Sequence, residues 1–230
     1  MNFNKMSPRL LAAAELVRGG AFVADVGSDH AYLPIYLCLM GKIRGAVASD
    51  INEGPVARAK INIAAEHLTR KIAVVRTDGL SGIEDYSPDH IVICGMGGEL
   101  ICEIIEKAPW TKNKNIRLIL QPMTHADKLR AFLNANGYSI KAEKLVKEDK
   151  IYQIICAEYT AEPEQYSDIE LIFGKQNISE RSEVFLEYAG YVKNVFLTRL
   201  RGKRCAGADT AEEEYILAEI EKILNYKGGF

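Results

Sequence analysis

The 230-residue sequence has one tryptophan, seven prolines and five cysteines, and no apolar run of membrane length. Its longest nearly apolar stretch, residues 31–40, contains Pro34 and falls well short of the ~20 residues a spanning helix needs. Residues 1–10 show no basic segment followed by an apolar one, which predicts no signal peptide. The cysteines (Cys38, Cys94, Cys102, Cys156 and Cys205) are odd in number and lack metal-ligand spacing. All but Cys205 sit in apolar runs, which predicts reduced core thiols, a cytoplasmic chain and no metal. Neither sign of charge dominates: 29 Lys and Arg face 31 Asp and Glu, a net charge of −2. That excludes an indiscriminate, high-affinity nucleic-acid binder, although arrangement decides more than the sum. Residues 1–159 hold 20 basic and 18 acidic side chains, and residues 160–230 hold 9 and 13. Internal repeats and low-complexity segments are also missing. What remains is a globular composition, 48% hydrophobic and 26% charged, with a length suited to one full core and an appendage.

The order of elements predicts an α/β fold. Ser7-Pro8 opens a short helix that Gly19-Gly20 ends. Short apolar runs at 22–26, 46–49, 72–75, 91–94 and 116–120 read as buried strands. Helical patterns at 31–40, 55–68, 99–107 and 126–135 alternate with them, which implies a parallel sheet covered on both faces. Two longer strands, 138–146 and 151–159, are joined by Lys147-Glu148-Asp149-Lys150, too short for a parallel crossover. They predict an antiparallel hairpin at one edge. Five parallel strands and a terminal hairpin give about seven strands, the plan of a class I, Rossmann-like methyltransferase. This first domain is placed at residues 1–160. Residues 161–168 read as a linker, and the second domain, 161–230, as two amphipathic helices. One carries Phe185, Tyr188, Val192, Val195 and Phe196; the other opens on a Thr210/Glu213 capping box. The basic segment Arg201 to Gly207 connects them into an antiparallel, coiled-coil-like hairpin.

In open α/β sheets ligands bind beyond the carboxyl ends of the strands, where strand order reverses. Each such end here carries small or polar residues: Gly27-Ser28-Asp29-His30, Asp50, Asp78-Gly79, Gly95-Met96-Gly97-Gly98 and Gln121-Pro122. Gly27 lets the backbone approach a ligand. Asp50 follows it by 23 positions, near the ~20-residue offset of an acid that grips ribose hydroxyls. Asp78 suits an adenine amine, with Leu80 against the ring. The loop read from Gly27 lacks the second and third glycines of a dinucleotide loop, and Asp29 stands where a pyrophosphate would sit. A carboxylate there repels phosphate and tolerates the sulfonium and ammonium of S-adenosylmethionine (SAM), which favours SAM over NAD.

Glycine and aspartate end strands in any α/β protein, so none of these residues identifies a site alone. His67 and His90 read as helix-end and loop residues, His125 as a helix start and Trp110 as loop packing. His30 differs because it follows Asp29 at the ligand edge.

The run Ala24-Asp25-Val26-Gly27-Ser28-Asp29-His30-Ala31-Tyr32-Leu33-Pro34 closely resembles the signature of the bacterial TrmK family, SAM-dependent methyltransferases acting on N1 of adenine 22 in tRNA. The likeness extends to Met6-Ser7-Pro8-Arg9-Leu10, Ser49-Asp50-Ile51 with Pro55, Thr77-Asp78-Gly79-Leu80, Ile93-Cys94-Gly95-Met96-Gly97-Gly98 and Leu120-Gln121-Pro122. Met123 departs from the asparagine expected there. The resemblance implies SAM as cofactor and tRNA as partner, with neither membrane nor metal. It implies a cofactor set of Asp25, Gly27, Ser28, Asp29, His30, Asp50, Ile51, Asn52, Asp78, Gly79, Leu80, Gly95, Met96, Gly97, Gln121 and Pro122. The implied catalytic set is Asp29, which either stabilises the charge on the methylated adenine or later takes a proton from its 6-amino group, His30 shaping the pocket, and Arg9 docking tRNA beside the cofactor mouth. Arg199, Arg201, Lys203 and Arg204 form a second basic cluster, either phosphate contacts or a solvated helix end.

An Asn/Asp-Pro-Pro-aromatic motif, expected after the fourth strand for amino-group methylation of adenine, is replaced by Gly95-Met96-Gly97-Gly98. Three other readings stay open: methylation of a small molecule or protein, an NAD-dependent oxidoreductase, and a SAM- or RNA-binding module without turnover.

Overall fold

The computed structural model describes residues 6–225, so part of the 1–10 stretch read for a signal segment lies outside the described residues. The chain divides into two units, 1–164 and 165–230.

The first unit is one seven-stranded sheet in the order β3-β2-β1-β4-β5-β7-β6. Its strands are β1 (Phe22–Val26), β2 (Gly45–Asp50), β3 (Ile72–Arg76), β4 (His90–Met96), β5 (Arg117–Pro122), β6 (Tyr138–Lys147) and β7 (Ile151–Tyr159). The first five are parallel; β7 runs antiparallel to β5 and pairs with β6 as a hairpin. The short turn at 148–150 permits only that antiparallel return. α1 (Pro8–Leu16) precedes the first strand, and between the strands lie α2 (Tyr32–Leu39), α3 (Glu53–Ala65), α4 (Gly98–Glu106) and α5 (Ala126–Ala135).

Side chains of a strand alternate between faces, and the core divides accordingly. Val23, Ala46, Ala48, Val92 and Ile119 are buried with Ala13 of α1, Ile35 and Leu37 of α2, and Ala59 and Ile63 of α3. Ala24, Val26, Val47, Ile91, Ile93 and Leu118 are buried on the other face with Ile101 and Ile105 of α4 and Leu129 and Leu133 of α5. Both faces are therefore covered, which is why the strands carry continuous apolar runs.

β1 lies between β2 and β4. The chain winds outward through β2 and β3, then returns across β1 to build β4 and β5. Strand order reverses there, and a crevice opens beyond the carboxyl ends of β1 and β4.

The second unit holds α6 (Asp168–Phe173), α7 (Lys175–Glu180), α8 (Glu183–Cys205) and α9 (Ala211–Asn225). Periodicity at 185–196 and 216–224 located α8 and α9 but missed the six-residue α6 and α7. These are too short for a periodic signal; α6 is fixed by a Ser167/Glu170 capping box and by Phe173 packing edge-on to Phe185 and Tyr188. Lys203 meets Glu213 near the turn, and Lys193 meets Glu221 farther along, so α8 and α9 pair antiparallel. Two expectations are corrected. Arg201 to Cys205 belong to α8, and the connection is only 206–210. The Thr210/Glu213 box does not form. Glu213 is buried and takes Lys203 at 2.7 Å, while the Thr210 hydroxyl reaches Glu214. His90 is also not a loop residue: it begins β4, is buried, and accepts the Arg18 N–H at Nδ1. Burial, then the nearby Arg117 and Arg18, push its pKa down to about 4.

The α5 side of the sheet depends on a buried ion pair. Arg130 is fully buried and donates from Nε to Glu143 of β6 at 2.7 Å; a terminal nitrogen donates to Gln153 of β7. Removing one member of such a pair leaves an uncompensated charge and costs about 3–5 kcal/mol. Arg130→Ala is expected to lose about that much stability in urea unfolding. The double variant Arg130→Met/Glu143→Leu should recover most of it; an equal loss in both would show that the charges are not the cause.

Candidate active site

The turn after β1 is set by backbone requirements. Gly27 has φ +75°, and the N–H groups of Gly27 and Ser28 both donate to the Ser49 carbonyl at the end of β2, at 2.8 and 2.9 Å. Glycine is needed there for the positive φ; the Met96 methyl, which a Cβ would meet at 2.2 Å, ends a flexible side chain that can turn aside. Ala31, three residues beyond Ser28, is also left-handed at φ +55°, uncommon for a residue with a side chain. Asp29 and His30 project between these two bends.

Below the turn, Asp25 is buried and accepts a hydrogen bond from the Ser28 hydroxyl. Burial pushes its pKa up to about 6 against the lowering effect of Ser28. At the turn itself, Arg58 of α3 donates to Asp29 Oδ1 from Nε at 3.0 Å and also from a terminal nitrogen. His30 Nε2 lies 3.3 Å from Asp29 Oδ2, and its ring stacks on Tyr32 with centroids 4.9 Å apart. Asn62, one helical turn after Arg58, donates to the His30 carbonyl at 2.9 Å.

Beside this turn is a cavity of about 260 Å³ lined by Val26, Gly27, Ser49, Asp50, Ile51, Asn52, Thr77, Asp78, Gly79, Met96, Leu100 and Ile104. It collects Gly27, Asp50, Ile51, Asn52, Asp78, Gly79 and Met96 from the expected set. Asp50 accepts the Asn52 N–H at 2.8 Å through Oδ1. A carboxylate has about four acceptor positions, so hydroxyls can still be taken. The lining contains two carboxylates and no Lys, Arg or His. Its chemistry suits a cationic ligand with ribose hydroxyls and opposes a pyrophosphate.

Leu80, expected against the ring, is buried among the side chains facing α4 instead. The large apolar side chains exposed on this cavity are Ile51 and Leu100, at 54% and 47%. Leu100 and Ile104 stand four apart on α4, a spacing visible in the sequence once the helix is placed. Sequence reasoning missed them, together with Thr77, Arg58 and Asn62.

The end of β4 carries a bulge between Cys94 and Met96, with Gly95 at φ +82°. Gln121 is fully buried; its Oε1 accepts the Gly95 N–H at 3.1 Å, and its Nε2 donates to the Pro122 carbonyl at 2.9 Å. Gln121 and Pro122 thus brace the bulge and do not line the cavity. Gly97 caps α4, and a Cβ at Gly98 would lie 2.4 Å from the His125 carbonyl oxygen. Arg9 reaches the same end of the sheet: its guanidinium lies 5.1 Å over the Tyr152 ring and 3.8 Å from the Met123 sulfur. Its own N–H donates to Glu148 at 2.8 Å. Among the described residues no cluster of His, Cys, Asp or Glu could hold a metal ion, and no helix is long and apolar enough to cross a membrane.

Strand order, the reversal at β1 and a cation-free acidic cavity define a class: a Rossmann-like chain of the class I methyltransferase type. The family follows from comparison with known proteins. A family model described as TrmK, tRNA (adenine(22)-N(1))-methyltransferase, matches residues 23–223, and the chain belongs to that family. The Bacillus subtilis tRNA (adenine(22)-N(1))-methyltransferase is 39% identical over 192 residues, 81% of each chain. The Streptococcus pneumoniae protein Sp1610, solved in complex with S-adenosyl-L-methionine, superposes with a TM-score of 0.86 at 34% identity, covering 96% of this chain and 100% of that one. Mycoplasma capricolum TrmK, solved with S-adenosyl-homocysteine, gives 0.82 at 26% identity, covering 95% and 97%.

Asp25 makes a testable electrostatic signature. Its pKa is higher folded than unfolded, so between about pH 4 and 6 the native state binds more protons, and stability falls as pH rises through that window. The loss reaches roughly 3 kcal/mol above pH 6. Asp25→Asn is expected to gain stability over wild type by that increment between pH 4 and 7, measured by urea unfolding at each pH. A pH-independent difference would contradict the raised pKa.

Proposed function

We propose that this chain transfers a methyl group from S-adenosylmethionine to N1 of adenine 22 in tRNA. The observation that carries the reading is the cavity's donor set: two carboxylates, Asp50 and Asp78, with apolar Ile51 and Leu100 and no cation, at the sheet's switch point. Asp50 would hold the ribose hydroxyls, Asp78 the adenine amine, and Ile51 and Leu100 the faces of the ring. Gly27, Asn52, Gly79 and Met96 would complete the wall. When bound, S-adenosylmethionine supplies an electrophilic methyl group on a positively charged sulfur.

The remaining work falls to the chain. N1 of adenine carries a lone pair, so no base is required to start the attack. Catalysis is then mainly positioning and electrostatics. Positive charge develops on the adenine ring as N1 is alkylated. Asp29, at the lip of the turn, is the carboxylate that would stabilise it, and His30 shapes the same edge. Arg9, anchored over Tyr152, would steady the tRNA backbone or base at the ends of β4 and β5. A paired or stacked adenine must be flipped out, at a cost of about a few kcal/mol.

In this reading residues 1–160 form the methyltransferase domain and residues 161–230 a helical tRNA-binding domain, and the enzyme works in the cytoplasm. The basic cluster of the tail is smaller than the sequence suggested. Lys203 and Arg204 are paired with Glu213 and Glu214, and Arg199 lies over Phe196. Arg199 and Arg201 are therefore the tail residues best suited to phosphate.

Labelled S-adenosylmethionine incubated with unmodified tRNA, followed by nucleoside analysis, tests the function. N1-methyladenosine at a single position is the expected product; label on protein or a small molecule, with none in tRNA, would overturn the reading. Asp50→Ala is expected to weaken cofactor binding at least tenfold in calorimetry, about 1.4 kcal/mol. Asp29→Ala is expected to keep cofactor affinity and lower the turnover of tRNA by about 10²-fold or more. Full turnover in that variant would remove Asp29 from the mechanism.

A further inference from the structure

The turn that presents Asp29 and His30 is held from the side by two residues of one helix. Arg58 and Asn62 stand four apart on α3, so they share a face one helical turn apart. Arg58 donates from two nitrogens to Asp29 Oδ1, and Asn62 Nδ2 donates to the His30 carbonyl at 2.9 Å. His30 Nε2 lies 3.3 Å from the carboxylate's other oxygen, so the hydrogen bonds that hold the carboxylate come from Arg58.

This arrangement is a poor device for stability. Asp29 and Arg58 have side chains 54% and 46% exposed, and solvated pairs of that kind contribute little to folding. It is a good device for orientation. Two N–H groups from one planar guanidinium converge on Oδ1 and fix the place of that oxygen, with the His30 ring beside the other. The backbone that carries Asp29 lies between two left-handed residues, Gly27 and Ala31, and the Asn62 bond restrains its far side. We infer that Arg58 is a positioning residue for Asp29, and that Arg58 and Asn62 together form a clamp on α3 that fixes the acceptor-facing edge of the site. The inference rests on the proposed function for what Asp29 does, but the clamp itself is a claim about the turn.

Two measurements keep those claims separate. Hydrogen exchange by mass spectrometry over residues 27–33 of the full-length protein reads the clamp without any reaction. Arg58→Met and Asn62→Leu are each expected to speed exchange there several-fold, with exchange of β1 and β5 unchanged. Unchanged protection at 27–33 in both variants would overturn the clamp, whatever the enzyme's substrate proves to be. Steady-state kinetics on tRNA reads the positioning. Arg58→Met is expected to lower kcat at least tenfold, with the melting temperature and the affinity for S-adenosylmethionine held within twofold of wild type. Arg58→Lys, which keeps the charge but loses the two-pronged donation, should recover only part of kcat. A rise confined to KM for tRNA would make Arg58 a phosphate contact and overturn the positioning role, as would an unchanged kcat. If wild type itself leaves no N1-methyladenosine in tRNA, the functional reading fails and the exchange result stands alone.

Discussion

Everything in the site depends on the way the chain leaves β1. That strand is flanked on both sides by parallel neighbours, so its carboxyl end lies where the winding of the sheet reverses. The exit must be abrupt, because β2 and the bulged end of β4 occupy the adjacent space. A left-handed glycine makes the bend, and one acceptor, the Ser49 carbonyl, receives two successive N–H groups from it. A residue with a side chain would be strained at that dihedral angle. The cavity, the presentation of Asp29 and the start of α2 are consequences of that bend.

The charges follow a similar economy of placement. A net charge near zero conceals a cavity with two acids and no cation, and a turn where a single acid is held by Arg58 with His30 beside it. In the second unit, lysine and arginine at the end of α8 are answered by glutamates at the start of α9. Those glutamates also suit the helix's own amino end. The tail therefore presents less positive charge than its sequence implies. An enzyme that must release its tRNA gains from that modest field, since each phosphate contact strengthens binding and its dependence on salt.

The parts legible in the sequence are those governed by local rules. Buried parallel strands write themselves as short apolar runs, strand ends as glycine and aspartate, and the hairpin as a connection too short to cross over. The class I plan, the β1 turn, Asp50 and Asp78 come directly from these. Other parts were hidden because they are made in three dimensions. Nothing local in the sequence marks Arg130 as buried; Glu143 and Gln153 reach it from the hairpin. Nothing local marks Arg58 and Asn62 as the side of α3 that meets the β1 turn. Leu80 and Leu100 exchange roles for the same reason. Which apolar side chain enters the core and which borders the cavity depends on how α4 lies across the sheet.

Asp25 and Asp29 show how little the residue type decides. They sit four positions apart, Asp25 in β1 and Asp29 in the turn that follows it. Asp25 is buried, has the Ser28 hydroxyl as partner, and is pushed up to about 6 by burial. Asp29 stands more than half exposed with a guanidinium on one oxygen and an imidazole near the other. Environment separates the roles of paired carboxylates in enzymes generally, and here one bend in the backbone creates both environments. The buried acid ties the turn to the strand beneath it. The second acid is oriented from α3 instead of from the core and stands open to solvent.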